Sequence, residues 1–109
     1  MEEQKYCYFQ FKYLCNLCEG EEVRVVGSIE ELGNWDIKKS EKLIFSKLDI
    51  PIWKSKENIK IPQNSTFEYK YVIYKNGNFD RWENIPNHIN RNFTILNMIR
   101  VIILDKEND

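Results

Sequence analysis

Three groups of residues in this chain have side chains suited to chemistry. The first is a pair of tryptophans, Trp35 and Trp82. Trp35 follows the turn-forming pair Gly33-Asn34 in "VVGSIEELGNWD", and turns lie at the surface. Trp82 sits in "FEYKYVIYKNGNFDRWE" with Lys70 and Glu83 nearby, on the polar face of its strand. A flat indole pair beside an ammonium and a carboxylate suits a ligand with an apolar face and a hydroxyl rim, such as a sugar ring. Its C–H groups pack on the π-face while its hydroxyls hydrogen-bond charged and amide groups. Such a site needs no metal, no cofactor and no perturbed catalytic group.

The second group is Cys7, Cys15 and Cys18, an odd number gathered near one end. That is a poor disulfide framework and fits a reducing compartment. Cys15-Asn16-Leu17-Cys18 has metal-ligand spacing, but a tetrahedral zinc site would also need Cys7 and the single histidine, His88, and there is no second CxxC pair. Ordinary reduced thiols are expected. The third group is Asp80 with Glu83, a carboxylate pair of the kind used in glycoside hydrolysis. Hydrolysis needs a cleft that raises one carboxyl pKa, and a small β-rich domain with exposed polar strands offers little desolvation. The chain is expected to have no catalysis of its own.

With 109 residues the chain is long enough for one small domain and too short for two, so residues 1–109 are read as a single unit. A composition of 42% hydrophobic and 30% charged residues is globular rather than disordered. The net charge is −1 with the signs interleaved, which gives no electrostatic reason to expect a nucleic-acid or anionic-membrane partner. "MEEQKYCYFQ" starts acidic and leads into no basic-then-apolar segment, which argues against a secretory signal. "MIRVIILD" is interrupted by Arg100 and is too short to span a bilayer. These features point to a cytoplasmic protein.

The elements that must position these side chains are strands. "FEYKYVIY" alternates with a period of two, placing Phe67, Tyr69, Tyr71 and Ile73 on one face and Glu68 and Lys70 on the other. "YCYFQFKYLC", "VRVVG", "WKSKENIKI", "NFTIL" and "MIRVIIL" are further β-rich runs separated by Gly, Pro and Asn turns. An all-β sandwich or barrel follows. Only "SIEELGNW" and "DIKKSEKL" have room for a helical turn. Trp53, behind "IPI" at a strand start, reads as a core residue.

Asn76-Gly77 marks a hairpin. A two-residue turn would carry Asp80 onto the apolar face, where an unpaired carboxylate is costly. A three-residue loop, Lys75-Asn76-Gly77, with Gly77 in a left-handed bulge, avoids this. It brings Phe79 to the apolar face and leaves Trp82 beside Lys70 on the outer face. This register is the expected one. Loops or edge strands of a β-sandwich also bind protein partners, so a protein-interaction module is the rival reading.

Taken together, these stretches make the sequence resemble the starch-binding domains, family 20 of the carbohydrate-binding modules, from about Tyr8 to Leu104. "VVGSIEELGNWD", "PIWK", "FEYKYVIYKNG" and "RWENIPNHINRNFTI" match the family's motifs in order. The resemblance implies an immunoglobulin-like antiparallel β-sandwich of seven to eight strands that binds α-glucan polysaccharide or maltooligosaccharide. It implies that Trp35 and Trp82 form the platform of the principal site, with Lys70 and Glu83 matching the family's lysine and glutamate. The family's asparagine falls on Asn87 or Asn90. Asn90 is preferred, because "WENIPNHINRNFT" aligns without a gap to laforin-type modules. The tyrosines of the family's second site have no counterpart in Glu19 and "SKLDIP", so one dominant site is expected. Similarity to the intracellular branch implies an N-terminal module joined in cis to a C-terminal catalytic domain.

Overall fold

Strict alternation in "FEYKYVIY" organises one of two sheets in the computed structural model, which describes residues 5–17, 19–46, 51–85 and 89–108. β7 (Thr66–Lys75) is central, with Phe67, Tyr69, Tyr71 and Ile73 buried and Glu68 exposed. β2 (Glu21–Gly27) runs antiparallel along one edge of β7, and β3 (Glu41–Lys42) lies beyond β2. β8 (Asn78–Trp82) and β9 (Arg91–Thr94) share the other edge.

β1 (Tyr6–Leu14) is central to the second sheet. β10 (Arg100–Lys106) pairs with one edge, and β5 (Ile52–Lys54) and β6 (Ile59–Pro62) pair with the other. β4 (Ile44–Phe45) extends this sheet beyond β5. Single 3-10 turns occupy Glu30–Leu32 and Ile37–Lys39, inside the two segments expected to have room for them.

The fold is the all-β sandwich expected, with two refinements. Among the described residues ten strands are formed rather than seven to eight, because β3 and β4 are two-residue pieces on either side of the buried Leu43, where the chain passes from one sheet to the other. The pairing of β1 with β10 is parallel, so the sandwich is not wholly antiparallel.

The core is aromatic where the two central strands face each other. Phe9, Phe11 and Tyr13 of β1 meet Phe67, Tyr69 and Tyr71 of β7. Phe11 packs edge-on to Tyr69 at 5.2 Å, and Tyr13 stacks on Tyr71 at 4.1 Å and 20°. Each such pair adds roughly 0.5–1.5 kcal/mol beyond the area it buries. Trp53 is part-buried, packs on this core and leans against Phe45 at 5.2 Å.

The hairpin register departs from expectation. Lys75 pairs with Asn78, so the turn has two residues, Asn76 (φ 51°) and Gly77 (φ 84°). Both are left-handed, the geometry whose twist matches that of the strands it joins. Tyr74 pairs with Phe79, but Ile73 pairs with Arg81 and Val72 with Trp82. Asp80 is therefore the extra residue of a β-bulge. The bulge leaves it at the surface beside Arg81, which removes the burial penalty that had argued against the short turn. Trp82 is on the outer face with Lys70, as expected, reached by a different register. Phe79 is also on the outer face and 40% exposed, not on the apolar face.

Candidate functional site

Trp35 is delivered by a backbone that few residues adopt. Gly33, Asn34 and Trp35 have successive φ values of 85°, 50° and 64°. Left-handed geometry costs a non-glycine residue about 1–2 kcal/mol. The conformation is held by hydrogen bonds from the Trp35 amide to the Gly27 carbonyl (2.8 Å) and from the Asp36 amide to the Gly33 carbonyl (2.9 Å). It folds Trp35 over the outer face of the β2–β7 sheet. There it packs, with Ile37, on a small apolar cluster of Val26, Val72 and Tyr74, separate from the main core. Trp35 is thus part-buried, and Trp82 is 40% exposed.

The two indoles lie 6.4 Å apart at 66° and form a folded rather than flat platform. They border a groove of about 540 Å³ lined by Trp35, Lys70, Trp82, Glu83, Asn84 and Asn90. The Lys70 ammonium is 5.9 Å from the Trp82 ring. Lys70 stands one outer-face position along β7 from Val72, the partner of Trp82, which makes it a diagonal neighbour. Exposed Asn90 donates to the Glu68 carboxylate at 3.2 Å. The fold therefore gathers Trp35, Lys70, Trp82, Glu83 and Asn90 around one groove. Asn87 lies outside the described residues. Asn84 also lines the groove; the sequence reading missed it, although it follows Trp82-Glu83 directly.

Glu83 borders the groove, but its carboxylate turns inward onto protein partners. It is fully buried and already satisfied. It accepts from Arg91 Nη2 at 2.7 Å and Nε at 3.0 Å, from the Tyr71 amide at 2.9 Å, and from the Tyr13 hydroxyl at 3.4 Å. The reason is alternation: an outward Trp82 turns its neighbour inward. Arg91 also approaches Asp105 at 3.4 Å, and Asp105 accepts from the Tyr69 and Tyr71 hydroxyls at 2.8 and 2.7 Å. Burial opposes the Arg91 charge, but bonding to Glu83 and the nearby Asp105 keep the guanidinium firmly protonated. Burial, reinforced by Asp105, raises both tyrosines well above the usual phenol range, so they remain donors.

Among the described residues the other candidate chemistries do not assemble. Asp80 is exposed and paired with Arg81, whereas Glu83 is buried with Arg91, so the two carboxylates share no cleft. Cys7 and Cys15 are buried free thiols eight residues apart along an extended strand, about 25 Å, too far to bind one ion. Cys18 and His88 lie outside the described residues. Among those described, no cluster of acidic, Cys and His groups could hold a metal, and no helix is long and apolar enough to cross a membrane. A second concavity of about 410 Å³ is lined by residues including Leu17, Glu19, Phe45 and Trp53, with no tyrosine among the described residues that line it.

Comparison with known proteins agrees with this fold. Residues 6–100 match the family model described as the starch binding domain. The chain is 37% identical over 86 residues to Glucoamylase-1 of Arthroderma benhamiae, covering 79% of this chain and 13% of that one. It is 30% identical over 91 residues to a cyclomaltodextrin glucanotransferase of Geobacillus stearothermophilus, covering 82% and 12%. Among solved structures, the Hypocrea jecorina glucoamylase superposes with a TM-score of 0.83 at 21% identity, over 97% of this chain and 18% of that one. The family 20 module of the maltotetraose-forming amylase from Pseudomonas saccharophila superposes with a TM-score of 0.67 at 20% identity, over 88% and 97%. The chain thus spans about a tenth of the length of the curated relatives it matches, and it belongs to the starch-binding domain family.

Proposed function

We propose that the groove between Trp35 and Trp82 binds α-1,4-glucan without catalysis, taking consecutive glucose rings on its two indoles. The observation that carries this reading is the folded pair of indoles, 6.4 Å apart at 66°, beside Lys70 and Asn90. Stacking supplies the apolar contact, and Lys70, Asn84 and Asn90 hydrogen-bond the hydroxyls. Glu83 acts from beneath, bonding the Tyr71 amide and Arg91 and so fixing the strand end that carries Trp82. So shallow and open a site should bind short oligosaccharides with a Kd on the order of 10 μM to 1 mM.

The ligand class extends to starch, amylopectin and glycogen, and the module acts through one dominant site. The names of the relatives support a targeting role, in which the domain holds an attached catalytic region on polysaccharide. The free, buried Cys7 and Cys15 support a cytoplasmic setting. Titration of tryptophan fluorescence with maltoheptaose or β-cyclodextrin tests the site. A saturable change in the wild type that is lost in Trp82→Ala is expected. No change at several millimolar ligand would overturn the reading.

A further inference from the structure

The bulge at Asp80 places a third ring on the outer face. Phe79 and Trp82 are three residues apart, and in a regular strand they would face opposite ways. Because Asp80 drops out of the ladder, Phe79 stands opposite Tyr74 and Trp82 opposite Val72, both on the outer face. Outer-face positions on a strand repeat about every 6.6 Å. Following β7 through Glu68, Lys70, Val72 and Tyr74 therefore orders Asn90, Lys70, Trp82 and Phe79 along a strip of about 20 Å. The groove occupies the part from Asn90 to Trp82. Phe79 lies one step further, toward the Asn76-Gly77 turn.

The support beneath this ring is stiff. Phe79 meets Trp82 at 6.0 Å and 67°, and Tyr74 at 6.3 Å and 86°. Tyr74 is itself pinned: its hydroxyl donates to the Ile37 carbonyl at 2.9 Å, and the Arg24 guanidinium lies 3.9 Å above its ring. Phe79 nonetheless keeps 40% of its surface in water, an exposure that core packing does not explain.

We propose that Phe79 is a binding residue, a third ring that continues the tryptophan platform and takes a further glucose unit of a longer α-glucan chain. This inference rests on the glucan reading above. It makes the domain selective for chain length, because a short oligosaccharide fills the groove between Trp35 and Trp82 without reaching Phe79.

Calorimetric titration of wild type, Phe79→Ala and Phe79→Tyr with maltotriose and maltoheptaose tests it. Phe79→Ala should weaken maltoheptaose roughly 3- to 10-fold and leave maltotriose within about twofold. Phe79→Tyr keeps a ring and should behave as wild type. Equal weakening of both sugars would show that Phe79 acts only by holding Trp82, and no weakening of either would show that it touches no ligand; both outcomes overturn the proposal. If wild type binds neither sugar, the glucan reading fails and this inference fails with it. Should Phe79→Ala unfold, Phe79→Leu keeps apolar bulk against Tyr74 and must show the same selective loss.

Discussion

Arg91 holds the buried Glu83 carboxylate by three hydrogen bonds of 2.7 to 3.1 Å, with the guanidinium reaching both oxygens. The pair joins β9 to the residue that follows Trp82. Breaking it from one side strands a charge in the interior. Arg91→Ala is therefore expected to destabilise the fold by about 3–5 kcal/mol, measured by urea denaturation. Arg91→Lys should recover only part of this, because an ammonium lacks the planar fork. Stability close to wild type in Arg91→Ala would mean that the pair contributes little.

Trp35 and Trp53 should separate binding from folding. Trp53→Ala opens a cavity beside the main core and should lower stability by about 2–4 kcal/mol. Trp35→Ala removes packing only on the small cluster around Val72 and should cost about 1–2 kcal/mol. Loss of binding should follow the opposite order. Thermal melts and retention on amylose, measured on the same two variants, check both halves. A Trp35→Ala protein that fails to fold would reassign Trp35 to the core.

Glu22 should shape the acid limb of stability. Burial pushes its carboxyl upward, but bonding to Arg24 at 2.8 Å and Lys42 at 3.3 Å overcomes this and holds it below the usual glutamate range. The ionised form therefore stabilises the fold above the ordinary value of about 4.3, and that contribution is lost as pH falls through the lower folded value. Glu22→Gln should melt below wild type at pH 7, and the gap should narrow as the pH drops below about 4. A gap independent of pH would point to packing instead.

Cys15 should be inert. Burial, followed by the Glu107 charge, raises its thiol to about 12. The thiolate is the reactive form, so labelling by iodoacetamide at pH 8 should be far slower in the native protein than in urea. Peptide mapping by mass spectrometry reads Cys15 separately from Cys18. Rapid native labelling would contradict the buried placement.

Much of the architecture was legible because a period of two is a local property. Phe67, Tyr69, Tyr71 and Ile73 had to share a face, and Lys70 had to lie opposite them. The same rule, applied one residue further, would have turned Glu83 inward once Trp82 was placed outward. What local reasoning misplaced was the bulge, expected at Gly77 and found at Asp80. With the extra residue set ahead of Phe79 rather than after it, Phe79 was placed on the wrong face, while Trp82, which lies beyond both positions, was placed correctly.

The long strands, the position of the hairpin around Asn76-Gly77, the aromatic inner face and the outward Trp82 could be read from the chain alone, because each follows from alternation and turn chemistry within a few neighbours. The 6.4 Å approach of Trp35 to Trp82 and the reach of Arg91 to Glu83 emerge only once the sheets are assembled. These contacts depend on how β2, β7, β8 and β9 pair and on where Asp80 leaves the ladder. Strand pairing is set by packing across the whole sandwich, which no short stretch of chain encodes.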